Sequence, residues 1–121
     1  MENEIWTEYC NYRRNKGFSV PVRDGSMDAI GRQSAQHSAD IGRLDHNFVK
    51  NTYPGYSDIL QYATYRMDGN TAVTKWRKST GHRIQMNCRT VTKAGVGVIN
   101  KNGTYYMVIV YNYTGTNVGD D

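Results

Sequence analysis

Trp76-Arg77-Lys78-Ser79-Thr80-Gly81-His82-Arg83 stands where the chain changes its period. N-terminal to it, apolar residues recur three and four apart, as on one face of a helix. C-terminal to it they alternate with polar residues or run on continuously, as in strands. Val73, Trp76 and Ser79 share a helical face, Thr71 is placed to cap that helix, and Gly81 is placed to stop it.

Toward the C-terminus, Ile84, Met86 and Cys88 alternate with Arg83, Gln85 and Asn87, which reads as a strand. Val96 and Val98 alternate with Gly95 and Gly97. Tyr105 to Tyr113 is nearly continuous in β-branched and aromatic residues and reads as a central strand. Asn102-Gly103 predicts a hairpin turn, because both residues tolerate positive φ. Toward the N-terminus, Asp68-Gly69-Asn70 reads as a turn. A short helix is expected from Ser57, carrying Asp58, Ile59, Leu60 and Tyr62, and residues 47–57 read as a loop around Pro54-Gly55. A stronger helix precedes them, with Ser26 as N-cap, Asp28 in its first turn and a stripe of Met27, Ile30, Ser34, His37 and Ile41. Gly42 closes it and leaves His46 just beyond. The first helix, Glu4 to Arg14, carries Ile5, Tyr9 and Tyr12 and ends at Gly17; Phe18 to Gly25 reads as a loop. Helices first and an antiparallel sheet after them is an α+β pattern.

At 121 residues and 13.8 kDa the chain has the length of a single domain, 1–121, and needs neither metal nor disulfide to fold. Twelve Gly and two Pro exclude collagen-like and low-complexity classes. No apolar run is long enough to cross a membrane as a helix, and MENEIWTEYC has no basic start followed by an apolar core. Fifteen Lys+Arg against eleven Asp+Glu give a net charge of +4, a mild bias toward anionic partners. Its denser patches, Arg13, Arg14 and Lys16, then Lys75, Arg77, Lys78 and Arg83, read as solvated surface. Cys10 and Cys88 form no CxxC; one disulfide and two buried thiols both stay open.

Three histidines are candidates for chemistry. His37 lies on the apolar stripe and reads as a hydrogen-bonded core histidine. His46 and His82 sit at helix ends among polar neighbours, where surface placement competes with a metal site. Ser79, three residues before His82, reads as a helix-terminal hydrogen-bonding residue, since no GxSxG elbow surrounds it. Gly95-Val96-Gly97 lacks the third glycine of a dinucleotide fingerprint. Ten tyrosines without an RNP-like run are explained by sheet packing.

Several motifs together resemble one family. Trp76-x-x-Ser79-x-Gly81-His82-Arg83 is similar to the W-x-x-S-x-G-H-R signature of bacterial CAP-superfamily domains, the SCP-like group that also holds cysteine-rich secretory proteins, antigen 5 and pathogenesis-related proteins. Asn11-x-x-Arg14 with Gly17-Phe18 resembles its opening motif. Ile30, Ser34, His37-Ser38 and Asp40-Ile41 resemble its second helix, and Ala94 to Val98 and Gly103 to Tyr106 resemble two of its strands. The likeness runs in order from about residue 11 to 113.

That resemblance implies a three-layer α-β-α sandwich with a central antiparallel sheet. It also implies an exported protein whose leader has been removed. The family's cleft tetrad, two histidines and two acids, falls on His46 and His82, on Asp58 in place of Glu, and on Ser79 in place of the second acid, with Trp76, Gly81 and Arg83 supporting it. No cofactor is then required. A divalent cation such as Zn²⁺ would be held weakly by His46 and His82, because a lost carboxylate weakens the attraction for it. The resemblance points to a secreted, non-enzymatic binding module for a small ligand, lipid or cell-surface partner, with no membrane span. The alternative is a metal-assisted hydrolase, nuclease or peptidase, in the same cleft. Nucleic acid is not an expected partner.

Overall fold

The computed structural model describes residues 1–112. The elements are α1 (Glu2–Asn15), β1 (Val22–Arg23), α2 (Gly25–Ile41), α3 (Asn47–Thr52), β2 (Tyr56–Ala63), α4 (Gly69–Lys78), α5 (Thr80–Met86), β3 (Lys93–Lys101) and β4 (Thr104–Asn112). The strands form one sheet in the order β1-β3-β4-β2. β4 is antiparallel to both β2 and β3, while β1 is parallel to β3, so the sheet is mixed.

The chemistry of β4 explains its continuous apolar run. Met107, Ile109 and Tyr111 enter the core shared with α1, α4 and α5; Tyr106, Val108 and Val110 enter the core shared with α2 and α3. A strand covered on both faces has no polar face to alternate with. The architecture is therefore an α-β-α sandwich with two cores separated by the sheet. Asn102 (φ 54°) and Gly103 (φ 88°) turn β3 into β4 as expected. The expected strand residue Tyr113 lies outside the described residues.

α2 lies unusually close to β3. A Cβ on Gly97 would stand 2.1 Å from the main chain of Gly31 and Arg32, and one on Gly95 would stand 2.3 Å from Asp28 N. The small residues of Gly95-Val-Gly97 thus allow main chain to approach main chain.

Several expectations are corrected. Residues 57–62 are strand, not helix: Ile59 and Leu60 are adjacent and both fully buried because they serve opposite cores. Residues 84–88 are mostly helix α5, not strand; five alternating residues do not distinguish the two periods. The 47–57 loop contains α3, a helix too short to show periodicity and anchored by buried Val49. The helix through Trp76 stops at Lys78 rather than Gly81, because Ser79 is extended (φ −96°, ψ 121°) and a new helix starts after it. The N-caps are Asp24 and Asp68, two residues before Ser26 and three before Thr71; the Asp68 carboxylate accepts from Thr71 N at 2.7 Å. Val22–Arg23, expected as loop, is the parallel strand β1. Arg13, expected on the surface, is fully buried: its Nε donates to Ser19 O at 2.8 Å and its Nη1 to Met86 O at 2.9 Å. Cys10 and Cys88 are buried free thiols.

Candidate functional site

β2 is a terminal strand, so one of its edges faces no other strand. Trp76 closes part of that edge: its Nε1 donates to Leu60 O at 3.1 Å, and its ring is 1% exposed. The two-residue period turns the main-chain N–H and C=O of Asp58 to the same edge. There, α3 approaches from one helical layer and α5 from the other. They enclose a cavity of about 410 Å³ lined by His46, Asn47, Lys50, Ser57, Asp58, Ser79, Gly81, His82 and Gln85.

Each side chain has a local reason for its place. His46 is the exposed residue before α3 and makes no capping hydrogen bond. Ser79 is shared by two helices: its N–H donates to Trp76 O at 3.2 Å, and its C=O accepts from Arg83 N at 2.8 Å. This break swings α5 away from the α4 axis and turns His82 into the cavity. Arg83 Nη1 donates to Arg77 O at 2.9 Å and ties the end of α4 to α5. Asp58 stands opposite Val110, on the α2–α3 side of the sheet, and is 7% exposed.

The electrostatics divide the site in two. Burial, and then the Asp45 carboxylate, push the Asp58 carboxyl up to about 7. Its Oδ2 has no hydrogen-bond partner among the described residues. Burial, and then His46, lower His82, so its imidazole is neutral at neutral pH. Asp45 itself is held below the usual carboxylate range by Asn47 N and by His37, whose Nε2 lies 2.8 Å from Asp45 Oδ2. His37 is therefore hydrogen-bonded as expected but not in the core: it is half-buried and stacks on Phe48 at 4.6 Å.

His46, Asp58, Ser79 and His82 line one cavity, and so does Gly81; Trp76 and Arg83 stand behind it. His46 adds to the burial that lowers His82, whereas Asp58 is raised by burial and then by Asp45. Among the described residues no group of three or more His, Cys, Asp or Glu side chains is arranged to hold a metal ion. The described residues thus do not fit a resident three-donor cation site. Ser79 and His82 share no hydrogen bond among the described residues, so no nucleophile–base pair is formed. Lys50 and Gln85 escaped sequence reasoning. They are ordinary polar residues on short helices, and only the position of the free β2 edge singles them out.

The comparisons agree with this fold. An outer surface protein from Borrelia burgdorferi has the same fold, with a TM-score of 0.76 at 13% identity, covering 90% of this chain and 89% of that one. An extracellular SCP-domain protein from Bacillus anthracis gives a TM-score of 0.74 at 17% identity, covering 93% of this chain and 40% of that one. A Mycobacterium sp. (strain JLS) protein described as an uncharacterized methyltransferase is 30% identical over 86 residues, which are 60% of this chain and 34% of that protein. The chain thus spans about a third of the mycobacterial relatives it matches. No described helix is long and apolar enough to cross a membrane. Residues 7–113 match the model of the cysteine-rich secretory protein family, and the chain belongs to that family, CAP.

Proposed function

We propose that the chain acts outside the cell as a binding module. Its cavity at the β2 edge would take a small ligand, a lipid or a cell-surface component without turning it over. The observation that carries this reading is the cavity's make-up. Donors and acceptors from both helical layers converge there, yet Ser79 has no base bonded to it and Asp58 no imidazole partner. Such a set recognises polar groups but lacks the relay that activates a nucleophile. The family, cysteine-rich secretory proteins, and an extracellular structural relative support the compartment.

A metal-assisted hydrolase is the second reading. It is favoured by one observation, the lowered His82, whose free lone pair suits a general base. Any cation would rest on His46 and His82 and would bind weakly.

The test uses fluorescently labelled chain, wild type and His46→Ala/His82→Ala, on phospholipid vesicles and intact bacterial cells. The same proteins are assayed on a phosphodiester and on casein, with and without Zn²⁺. Binding that the double variant loses, with no turnover, is expected. Turnover that disappears in His82→Ala would replace this reading with the hydrolase.

A further inference from the structure

We propose that the chain carries a second ligand site, separate from the histidine cavity, that takes a saccharide ring. The site is a cavity of about 370 Å³ lined by Gly42, Arg43, Leu44, Tyr62, Thr64, Thr104 and Tyr106. It shares no residue with the histidine cavity. Tyr62 lies four residues beyond Asp58 on β2, which is about 13 Å along a strand.

Two tyrosines give the site its character. Tyr62 and Tyr106 are opposite one another on β2 and β4, with ring centroids 6.1 Å apart and planes tilted by 32°. Tyr106 is 8% exposed and lines the cavity. Tyr62 is 57% exposed, among the largest apolar exposures on the described surface. A cross-strand pair formed only to stabilise the sheet would gain by covering both rings; here one ring face is left open beside the cavity.

The surroundings choose the ligand class. A pyranose has an apolar C–H face and a polar equator. The open Tyr62 face suits the first. The hydroxyls of Tyr106, Thr64 and Thr104, each donor and acceptor, suit the second. Arg43, the sole cation among the described residues lining this cavity, favours a sugar that carries a carboxylate. Single-stranded nucleic acid also stacks on tyrosine, but it needs a track of cations for successive phosphates, and one arginine makes no track.

The experiment is an amide-shift titration of the ¹⁵N-labelled chain with a neutral glucose trisaccharide, a uronic-acid trisaccharide and oligothymidylate. Shifts are expected at residues 42–44, 62–64 and 104–106, with the uronic-acid sugar binding more tightly than the neutral one. Tyr62→Ala should weaken both sugars about tenfold or more with an unchanged thermal midpoint, while Tyr62→Trp retains them. His82→Ala should leave sugar binding intact, which separates this site from the histidine cavity. No shift up to millimolar sugar, equal shifts in Tyr62→Ala, or tighter binding of oligothymidylate would overturn the proposal.

Discussion

The two edges of the sheet are finished in opposite ways. At one edge, β1 covers β3 for two residue pairs only, Val22 with Lys93 and Arg23 with Ala94. Beyond them the outward amides of β3 are taken by carboxylates. Val96 N donates to Asp28 Oδ1 at 2.8 Å and Val98 N to Glu2 Oε2 at 3.0 Å. Each carboxylate is in turn held by an arginine: Asp28 by Arg23 at 3.2 Å and Glu2 by Arg32 at 2.6 Å. Burial opposes ionisation of Glu2, but the Arg32 and Val98 hydrogen bonds outweigh it and hold its carboxyl below the usual range. At the other edge, Trp76 seals β2 at Leu60, and the strand then opens onto the histidine cavity. At one edge these groups find partners within the chain; at the other, Asp58 Oδ2 has none among the described residues. Satisfied edges resist pairing with other chains, whereas a buried polar group at an open cavity calls for a partner such as water or a ligand.

Breaking the sealed side should have the largest effect. Gly97→Val places a branched side chain where a Cβ alone would lie 2.1 Å from α2 main chain. Neither backbone can yield, so cooperative unfolding should be lost, or the midpoint lowered by an equivalent of about 3 kcal/mol or more. Circular dichroism melting would show it, and a wild-type melt would disprove the close approach.

Trp76→Ala removes the ring that seals β2 and should cost about 3–5 kcal/mol in denaturant unfolding. Trp76→Phe keeps most of the ring but leaves Leu60 O without its donor, and should cost a smaller amount, about 1–3 kcal/mol. Equal losses for the two variants would show that the hydrogen bond, not the packing, seals the edge.

Asp58→Asn should stabilise the protein, with a definite pH dependence. The folded carboxyl titrates near 7, above its ordinary value of 3.8. Its neutral form is therefore favoured by folding, and ionisation works against the fold as pH rises from about 4 to 7. The variant's advantage should be absent at pH 4 and reach on the order of 2–4 kcal/mol by pH 8. A pH-independent difference would mean that Asp58 titrates normally.

The smallest effect is expected inside the open cavity. His46→Ala and His82→Ala should shift stability by no more than about 0.5 kcal/mol, because neither ring holds elements together. In calorimetric titration, wild-type Zn²⁺ affinity should be about micromolar or poorer, fading as pH falls through the imidazole range. Equal heats in wild type and both variants would remove the histidines from cation binding.

The parts of this fold legible in the sequence are those where one physical signal acts alone. β4 is read because a strand buried on both faces must be continuously apolar. The Asn102-Gly103 turn is read because its backbone needs positive φ, and α2 because its seventeen residues give period 3.6 room to repeat. β2 and α5 escape for the converse reason. In β2 the adjacent Ile59 and Leu60 serve two cores, which mimics a helix turn. In α5 seven residues are too few to separate a helical face from strand alternation. Arg13 escapes because charge alone suggests solvent, whereas the carbonyls of Ser19, in the loop after α1, and of Met86, at the end of α5, make it a core residue. In the site, the order of motifs marks out His46, Asp58, Ser79 and His82. That Asp58 is buried, and raised by that burial and by Asp45, depends on strand register, which no local pattern encodes.

β4 lies between β2 and β3 yet comes last among the described elements. During synthesis every earlier strand must wait for it. Until Thr104 to Asn112 leave the ribosome, β2 has no neighbour and β3 has only the two-residue β1. The nascent chain can form its helices but cannot close either core, so translation delivers the sheet in one late event rather than strand by strand. A ribosome stalled before residue 104 would therefore present a protease-sensitive chain, and release of the final strand would confer resistance on the first hundred residues at once.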